Sequence, residues 1–351
     1  MPLLSKRKNI DYIFVTNSLT GGGAERAINI AVNELYERGI NVGLIPVNGG
    51  KEDLIKVRVP VFHINRKWLG GPLSIAAAFF KIYLTLLMTK PKVLILNCDL
   101  PEFLVAFIFG PWKIVVVEHA PKPWSSRAAI GKLIRRILKI RKSHWVVVSE
   151  HLPIWGVQSA QPEHIPNAIF ESETGILSSH HSDNNLKRLV FIGRLTKAQK
   201  QPQKVLEIAR QVNLPVLFVG DGLFVDELKE MAQQFNIDAI FLGHVPDPWE
   251  KLDNGDLLLV PSAWEGDGLV VVEAMLRSVP ILLSDILDFR RFNLPDKFYC
   301  YDSSSFSNRI EENRLSLLNL VTNPKTSKEI ISARTPTTVA NKWAEYLKTL
   351  K

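Results

Sequence analysis

Short, almost uninterrupted apolar runs recur along the chain at intervals long enough for one helix each: "IDYIFV" (10–15), "NVGLIPV" (41–47), "KVLILN" (92–97), "KIVVVEH" (113–119) and "HWVVVSE" (144–150). Runs without polar alternation predict strands covered on both faces, and helix-sized spacers predict crossover connections, so the first half reads as a parallel sheet in a doubly wound α/β domain. The same rhythm restarts with "RLVFIG" (188–193), "PVLFVG" (215–220), "AIFLG" (239–243), "LLLVP" (257–261) and "PILLSD" (280–285). Between the halves, "HIPNAIFESETGILSSHHSDNNLK" opens with Pro and Asn and continues rich in Ser, His, Asp and Asn, without apolar periodicity, as a linker does. The predicted organisation is an N-terminal Rossmann-like domain over residues 1–168, a linker over 169–186 and a second Rossmann-like domain over 187–335. A C-terminal helix over 336–351, with Val339, Trp343, Tyr346 and Leu347 on one stripe, is expected to pack back towards the N-domain. Ligands of open parallel sheets bind beyond the carboxyl ends of the strands, so two such ends facing across an interdomain cleft are the predicted site.

Two helical segments depart from ordinary surface patterning. "LSIAAAFFKIYLTLLM" (73–88) is apolar nearly all round, but it contains Lys81 and falls short of the roughly 18–20 apolar residues a membrane span needs. It predicts a buried or interfacial helix. "RAAIGKLIRRILKIRK" (Arg127–Lys142) places Ile130, Leu133, Ile134, Ile137 and Leu138 on one stripe and seven basic residues elsewhere. That pattern predicts either a helix packed on the sheet with a solvated basic face or an element lying on an anionic membrane surface.

Composition narrows the classes. In 351 residues, 46% are hydrophobic and 22% charged, a globular balance that predicts a soluble two-domain protein. The start "MPLLSKRKNIDYIFV" lacks an export-signal core, and the two cysteines, Cys98 and Cys300, are far apart, which argues against a disulfide framework or zinc site and fits a reducing cytoplasm. The net charge of +8 suits nucleic acid, anionic lipid or phosphorylated small molecules. No helix-turn-helix, RNP-like or Cys/His-finger pattern supports nucleic acid.

Candidate chemistry sits where strands end. The first strand runs into a triple glycine, Gly21 to Gly23, at the mouth of an amphipathic helix, where backbone amides can approach a diphosphate or carboxylate. The spacing is not GxGxxG, so a nicotinamide cofactor is not indicated, and the glycines alone fit a plain strand-to-helix turn equally well. In the second half, "FIGRLTKAQK" offers Arg194 and Lys200, two cations suited to neutralising a departing diphosphate; Lys197 between them reads as surface charge. Gly220 in "GDG" allows close approach of a flat ring, and His244 reads as structural. "PSAWEGDGLVVVEAM" (261–275) carries Glu265 and Glu273 on either side of a glycine-broken turn into a helix. Free amides of Asp267, Gly268, Leu269 and Val270 would face a phosphate or sugar hydroxyl, and a carboxylate can accept two hydrogen bonds from a diol.

Taken in order, "GGGAER", "VVVEH", "IPNAI", "IGRL" with its lysine, "GDG…ELKEMA", "FLGHV" and "E-G-x-G-L-x-x-x-E-A" resemble the GT-B glycosyltransferases of the family-4 type. The resemblance implies a retaining enzyme using a UDP- or GDP-sugar as donor substrate, with no metal and no further cofactor. It implies that Arg194 and Lys200 bind the diphosphate, Glu273 the ribose hydroxyls and Glu265 the transferred sugar near its anomeric carbon. Gly22 and Gly23 would form the N-domain loop against diphosphate and sugar, and His119 would lie beside sugar and acceptor. Two departures stand out: "ILDFRRF" follows "PILLSD" where the family carries a glycine-containing loop and an acidic residue, and Asp267 replaces an aromatic or small residue between the two glycines. The implied function is transfer of a hexose-type sugar to a glycan or lipid-linked acceptor in surface polysaccharide or glycolipid synthesis, in the cytoplasm or on the cytoplasmic face of the inner membrane. A sugar-nucleotide epimerase of the same architecture and a non-catalytic sugar-nucleotide-binding protein are the alternatives.

Overall fold

A computed structural model describes residues 10–19, 22–48, 57–66, 71–121, 123–124, 127–157, 161–169 and 185–350. The basic N-terminus, Gly21 and most of the Ser/His/Asn-rich segment after Ile169 lie outside the described residues. The chain divides into two compact units, Met1–Phe170 with Ala333–Lys351, and Glu171–Ser332.

Unit 1 runs β1 (Tyr12–Thr16), α1 (Gly23–Glu37), β2 (Val42–Pro46), α2 (Pro72–Thr89), β3 (Val93–Asn97), α3 (Asp99–Val105), β4 (Lys113–Glu118), α4 (Ala128–Ile140), β5 (His144–Val147) and β6 (Glu163–His164). Its sheet has the order β2-β1-β3-β4-β5-β6, every pairing parallel. Each of the first three strands is buried along its whole length, which is why the sequence shows apolar runs without alternation.

Unit 2 runs β7 (Arg188–Ile192), α5 (Gln203–Val212), β8 (Val216–Val219), α6 (Val225–Gln234), β9 (Ala239–Phe241), β10 (Asp256–Val260), α7 (Leu269–Leu276), β11 (Ile281–Ser284), α8 (Leu287–Arg290), β12 (Tyr299–Cys300), α9 (Ser303–Asn313) and α10 (Pro324–Ser332). Its sheet order is β12-β11-β10-β7-β8-β9, again all parallel. The final helix, α11 (Pro336–Thr349), belongs to unit 1 and packs beside α1, burying Val339, Trp343 and Leu347 against Phe14, Val32 and Leu35. Trp343 meets the Phe14 ring edge-on at 5.4 Å. Thr335 caps it, its hydroxyl accepting from the Thr338 amide.

The helices of unit 1 fall on two faces of its sheet. α1 and α11 share one core, whereas Ala78, Ile82 and Leu86 of α2, Leu104 and Val105 of α3, and Ile134 and Leu138 of α4 share the other. Two expectations need correcting here. The α4 stripe that packs inward is Gly131, Ile134, Arg135 and Leu138, while Ile130 and Leu133 face solvent at 45% and 54% exposure. Arg135, one of the seven basic residues expected on the solvated face, is wholly buried because two carboxylates meet it there.

Those carboxylates are Glu102 of α3 and Glu118 at the end of β4. Arg135 donates to Glu102 through Nε and Nη2 at 3.0 and 2.8 Å and pairs with Glu118 through Nη1. Trp124 Nε1 also donates to Glu102, and Nη1 of Arg135 donates to the Trp155 carbonyl at 2.8 Å. Burial raises the pKa of both acids, that of Glu118 to about 7, against the opposing pull of the guanidinium. Two carboxyls facing one cation out of water are best neutral with a single proton between them.

Candidate functional site

In unit 2 the chain leaves β7 towards β8 and β9 on one side, and β10 leads to β11 and β12 on the other, so the strand order reverses between the neighbours β7 and β10. The carboxyl ends flanking such a reversal are where open parallel sheets hold ligands, because the connecting loops splay apart there. Arg194 and Lys200 follow β7; the loop from Pro261 to Gly268 follows β10. The two loops are joined backbone to backbone, the Ala263 amide donating to the Gln199 carbonyl at 2.8 Å.

This junction brings Lys200 onto Glu265, with Nζ 2.6 Å from Oε1. Ser262 Oγ donates to the same oxygen at 2.7 Å, and the Glu265 amide donates to Asp288 Oδ2 at 2.9 Å. The Glu265 side chain is 5% exposed and that of Lys200 21%, so the pair has a closed carboxylate end and an ammonium end open to water. Arg194 is exposed and makes no side-chain hydrogen bond or ion pair among the described residues. It remains available to a ligand anion.

Gly268 caps α7 in the left-handed conformation, φ 55°, with no side-chain cap on the first turn. A Cβ there would also come 3.1 Å from the Phe289 ring, so backbone conformation and packing both select glycine. Leu269 and Val270 open the helix, leaving their amide ends directed to the carboxyl edge of the sheet. One turn further on, Glu273 Oε2 accepts from the indole Nε1 of Trp249 at 3.1 Å, while Arg277 stacks on that indole at 5.0 Å and donates to the Glu273 carbonyl. Trp249 is 93% buried, since its exposure is 7%, in a 3-10 turn, Pro248–Lys251, whose cap is Asp247.

The two departures from the family pattern turn out to be partners. Asp267 Oδ1 receives Arg291 Nη2 at 2.9 Å, and Nη1 of the same guanidinium donates to the Gly266 carbonyl at 3.1 Å. Both side chains are buried, at 2% and 9% exposure. The segment "LDFRRF" thus clamps the turn through Asp288 and Arg291 instead of closing it with a glycine loop. Asp267 is a structural anion here, its carboxylate turned onto Arg291. Gly220 also has a packing reason to be glycine: a Cβ at its φ of 136° would lie 2.0 Å from the Gly193 carbonyl oxygen, where the β7 and β8 loops touch. His244 is exposed, on the loop after β9.

In unit 1 the order reverses between β1 and β3, and polar groups again gather at that edge. His119, just past β4, shares a hydrogen bond through Nε2 with Asn97 Oδ1, and Asn97 Nδ2 donates to Thr16 Oγ1 at 3.1 Å. Asn97 and Thr16 are buried at 0% and 1% exposure, so the ends of β1, β3 and β4 are tied by one chain of side chains. Gly22 is the extended N-cap of α1 and Gly23 its first residue, again without a side-chain cap. Asn97, Trp249, Ser262, Asp288 and Arg291 escaped sequence reading. Asn97 left a faint signal, a polar residue closing the apolar run "VLIL"; the others are ordinary loop and turn residues until the fold brings them in. Among the described residues no group of three or more His, Cys, Asp or Glu side chains is arranged to hold a metal ion.

Residues 174–317 match the family model of glycosyl transferases group 1. The matched stretch lies within unit 2. An uncharacterized glycosyltransferase of Methanocaldococcus jannaschii is 28% identical over 128 residues, 34% of this chain and 33% of that protein. The chain therefore spans about a third of the length of this curated relative. Solved structures match over nearly the whole chain at low identity. Anabaena HepE in complex with UDP and glucose has a TM-score of 0.78 at 20% identity, covering 97% of this chain and 100% of that one. WaaG, a glycosyltransferase involved in lipopolysaccharide biosynthesis, has a TM-score of 0.70 at 12% identity, covering 95% and 99%. The two parallel six-stranded sheets with their helices are the GT-B fold of these neighbours.

Proposed function

We propose that this chain is a retaining glycosyltransferase of the family-4 type that moves a hexose-type sugar from a UDP- or GDP-sugar to a glycan or lipid-linked acceptor. The observation carrying this reading is the arrangement at the β7/β10 reversal: Lys200 on Glu265, the uncapped start of α7 beside them, and Glu273 one turn along, oriented by Trp249. Arg194, Lys200 and the first amides of α7 supply positive potential for a diphosphate, and their effect grows as the bond to the anomeric carbon breaks. Glu273, oriented by the Trp249 indole, would accept from the ribose diol. With Oε1 taken by Lys200 and Ser262, Glu265 would use Oε2 to accept from a hydroxyl of the transferred sugar; its tight pairing with Lys200 lowers its nucleophilicity and speaks against a covalent glycosyl intermediate. In the proposed step the anomeric carbon–oxygen bond to the β-phosphate breaks and a bond to the acceptor oxygen forms on the same face, the leaving phosphate oxygen taking the acceptor proton. No metal ion is needed for that charge. In unit 1, Gly22 and Gly23 at the start of α1 are the donor-side groups that the resemblance implies, and His119, held by Asn97, the acceptor-side group. HepE was solved with UDP and glucose and WaaG takes part in lipopolysaccharide synthesis, which supports a nucleotide-sugar donor and a role in surface polysaccharide or glycolipid assembly. A lipid-linked acceptor suits an enzyme working on the cytoplasmic face of the inner membrane, with the basic face of α4 towards anionic headgroups.

The test is a panel of UDP- and GDP-sugars incubated with the protein, followed for free nucleotide and for the sugar product. Slow nucleotide release from one donor is expected. Conversion of the donor to its epimer without release would favour an epimerase, and saturable binding without turnover would favour a binding protein.

A further inference from the structure

We propose that the outer face of the α2–α3–α4 layer is a monolayer-docking surface for an anionic lipid membrane, with α2 as the element that enters the acyl boundary. A helix covering a sheet normally turns polar residues outward. α2 does the reverse: its solvent face is Leu73, Phe80, Leu84, Leu87 and Met88, at 87%, 59%, 40%, 48% and 63% exposure, with Ala76 and Ala77 between. Its opposite face, Ala78, Ile82 and Leu86, lies in the unit 1 core. Its 18 residues are long and apolar enough to cross a membrane, yet it is built into the domain along that inner face, so it lies on a membrane and does not cross it.

The apolar surface continues sideways. α3 packs beside α2, and α4 beside α3, all with their buried residues on the same side of the sheet, so their outer stripes face away from it together. Beyond α3, Phe107 and Phe109 are 45% and 70% exposed, and the Arg141 guanidinium lies over the Phe109 ring at 4.9 Å. On α4, Ile130, Leu133 and Ile140 are exposed at 45%, 54% and 75%. Exposed Lys132, Arg136 and Lys139 run alongside them, with Arg127 and Lys142 at the ends. Neither α2 nor α4 contains an acidic residue.

That charge pattern selects the occupant. A contiguous apolar face marks an interaction surface, and cations framing it match phosphate headgroups above an acyl layer. A second copy of the chain would bring like-charged α4 faces together, which disfavours self-association through this surface. This inference extends the membrane placement proposed above but needs no donor chemistry, so its failure and that of the transferase reading are separable.

The full-length protein is sedimented with vesicles of phosphatidylcholine alone and of phosphatidylcholine carrying about a third phosphatidylglycerol. Binding to the anionic vesicles alone is expected, weakening as salt rises. The triple variant Phe80→Ser/Leu84→Ser/Leu87→Ser and the charge reversal Lys132→Glu/Arg136→Glu/Lys139→Glu should each lower the partition coefficient by about tenfold or more. Each should keep the thermal midpoint and basal nucleotide release. Unchanged partition in the α2 variant, equal binding to neutral and anionic vesicles, or a lipid-free dimer that the α2 variant dissociates would each overturn the proposal.

Discussion

Removing Lys200 acts on two quantities at once, and the structure separates them. Lys200→Ala takes away a cation proposed to stabilise the departing diphosphate, and it also strips Glu265, whose side chain is 5% exposed, of its ion partner. Deleting one partner of a buried pair costs about 3–5 kcal/mol when water cannot reach the other. Here the ammonium end is 21% exposed, so water enters the vacated space, and the Ser262 hydroxyl still donates to Oε1. A loss of about 2 kcal/mol is the reasoned figure. For a unit of this size that is roughly 4–8 °C in the thermal midpoint. Glu265→Gln should cost under about 1 kcal/mol, because the ammonium it leaves can rehydrate. The double variant Lys200→Ala/Glu265→Gln should therefore recover most of the midpoint lost by Lys200→Ala, while nucleotide release stays about 100-fold or more below wild type. Differential scanning fluorimetry beside a nucleotide-release assay reads both quantities. If Lys200→Ala keeps both rate and midpoint, or if the double variant regains turnover with stability, the pair has no catalytic part and the reasoning fails.

The remaining predictions concern the surrounding groups. Trp249→Phe keeps the buried ring but removes the 3.1 Å donor to Glu273, so KM for the donor should rise by about tenfold with kcat changed far less; an unchanged KM would deny Trp249 its positioning role. Asp267→Ala leaves the Arg291 guanidinium buried without its carboxylate and should cost roughly 3 kcal/mol, whereas Asp267→Ala/Arg291→Met should be closer to wild type in chemical denaturation. Glu118 has a folded pKa of about 7, raised above its unfolded value by burial, so its contribution to stability is full below the ordinary carboxylate range and lost as pH rises towards and through 7. Glu118→Gln should flatten the fall in unit 1 stability over that window; the Oε1 position, 3.4 Å from Arg135 Nη2, is the end that tolerates an NH2 group.

What the sequence disclosed, and what it hid, follows from the range of each interaction. Strands such as "VLILN" and "LLLVP" were legible because burial on both faces leaves a local, continuous apolar signature. The start of α7 was legible for a similar reason, since Gly268 must adopt a left-handed conformation that few other residues tolerate. Side-chain partnerships across the fold left no such trace. Arg135 reads as one of the basic residues of a solvated helix face, and only the fold places Glu102 and Glu118, 33 and 17 residues away, against it. Asp267 and Arg291 each look like an aberration in the motif that contains them, yet a salt bridge between them satisfies both. The α2 helix misled in a different way: nearly all its positions are apolar, so periodicity could not say which face packs inward, and half of that surface proved to be outside.

The central claim is that the ends of β7 and β10, with the first turns of α7, grip a nucleotide diphosphate sugar. Amide hydrogen exchange of the full-length protein, with and without the donor that gives turnover, tests it directly. Slowed exchange is predicted over 194–200 and 262–273, with a second protected stretch at 22–27. Protection confined to other segments, such as the β9 edge or α9, would contradict the account.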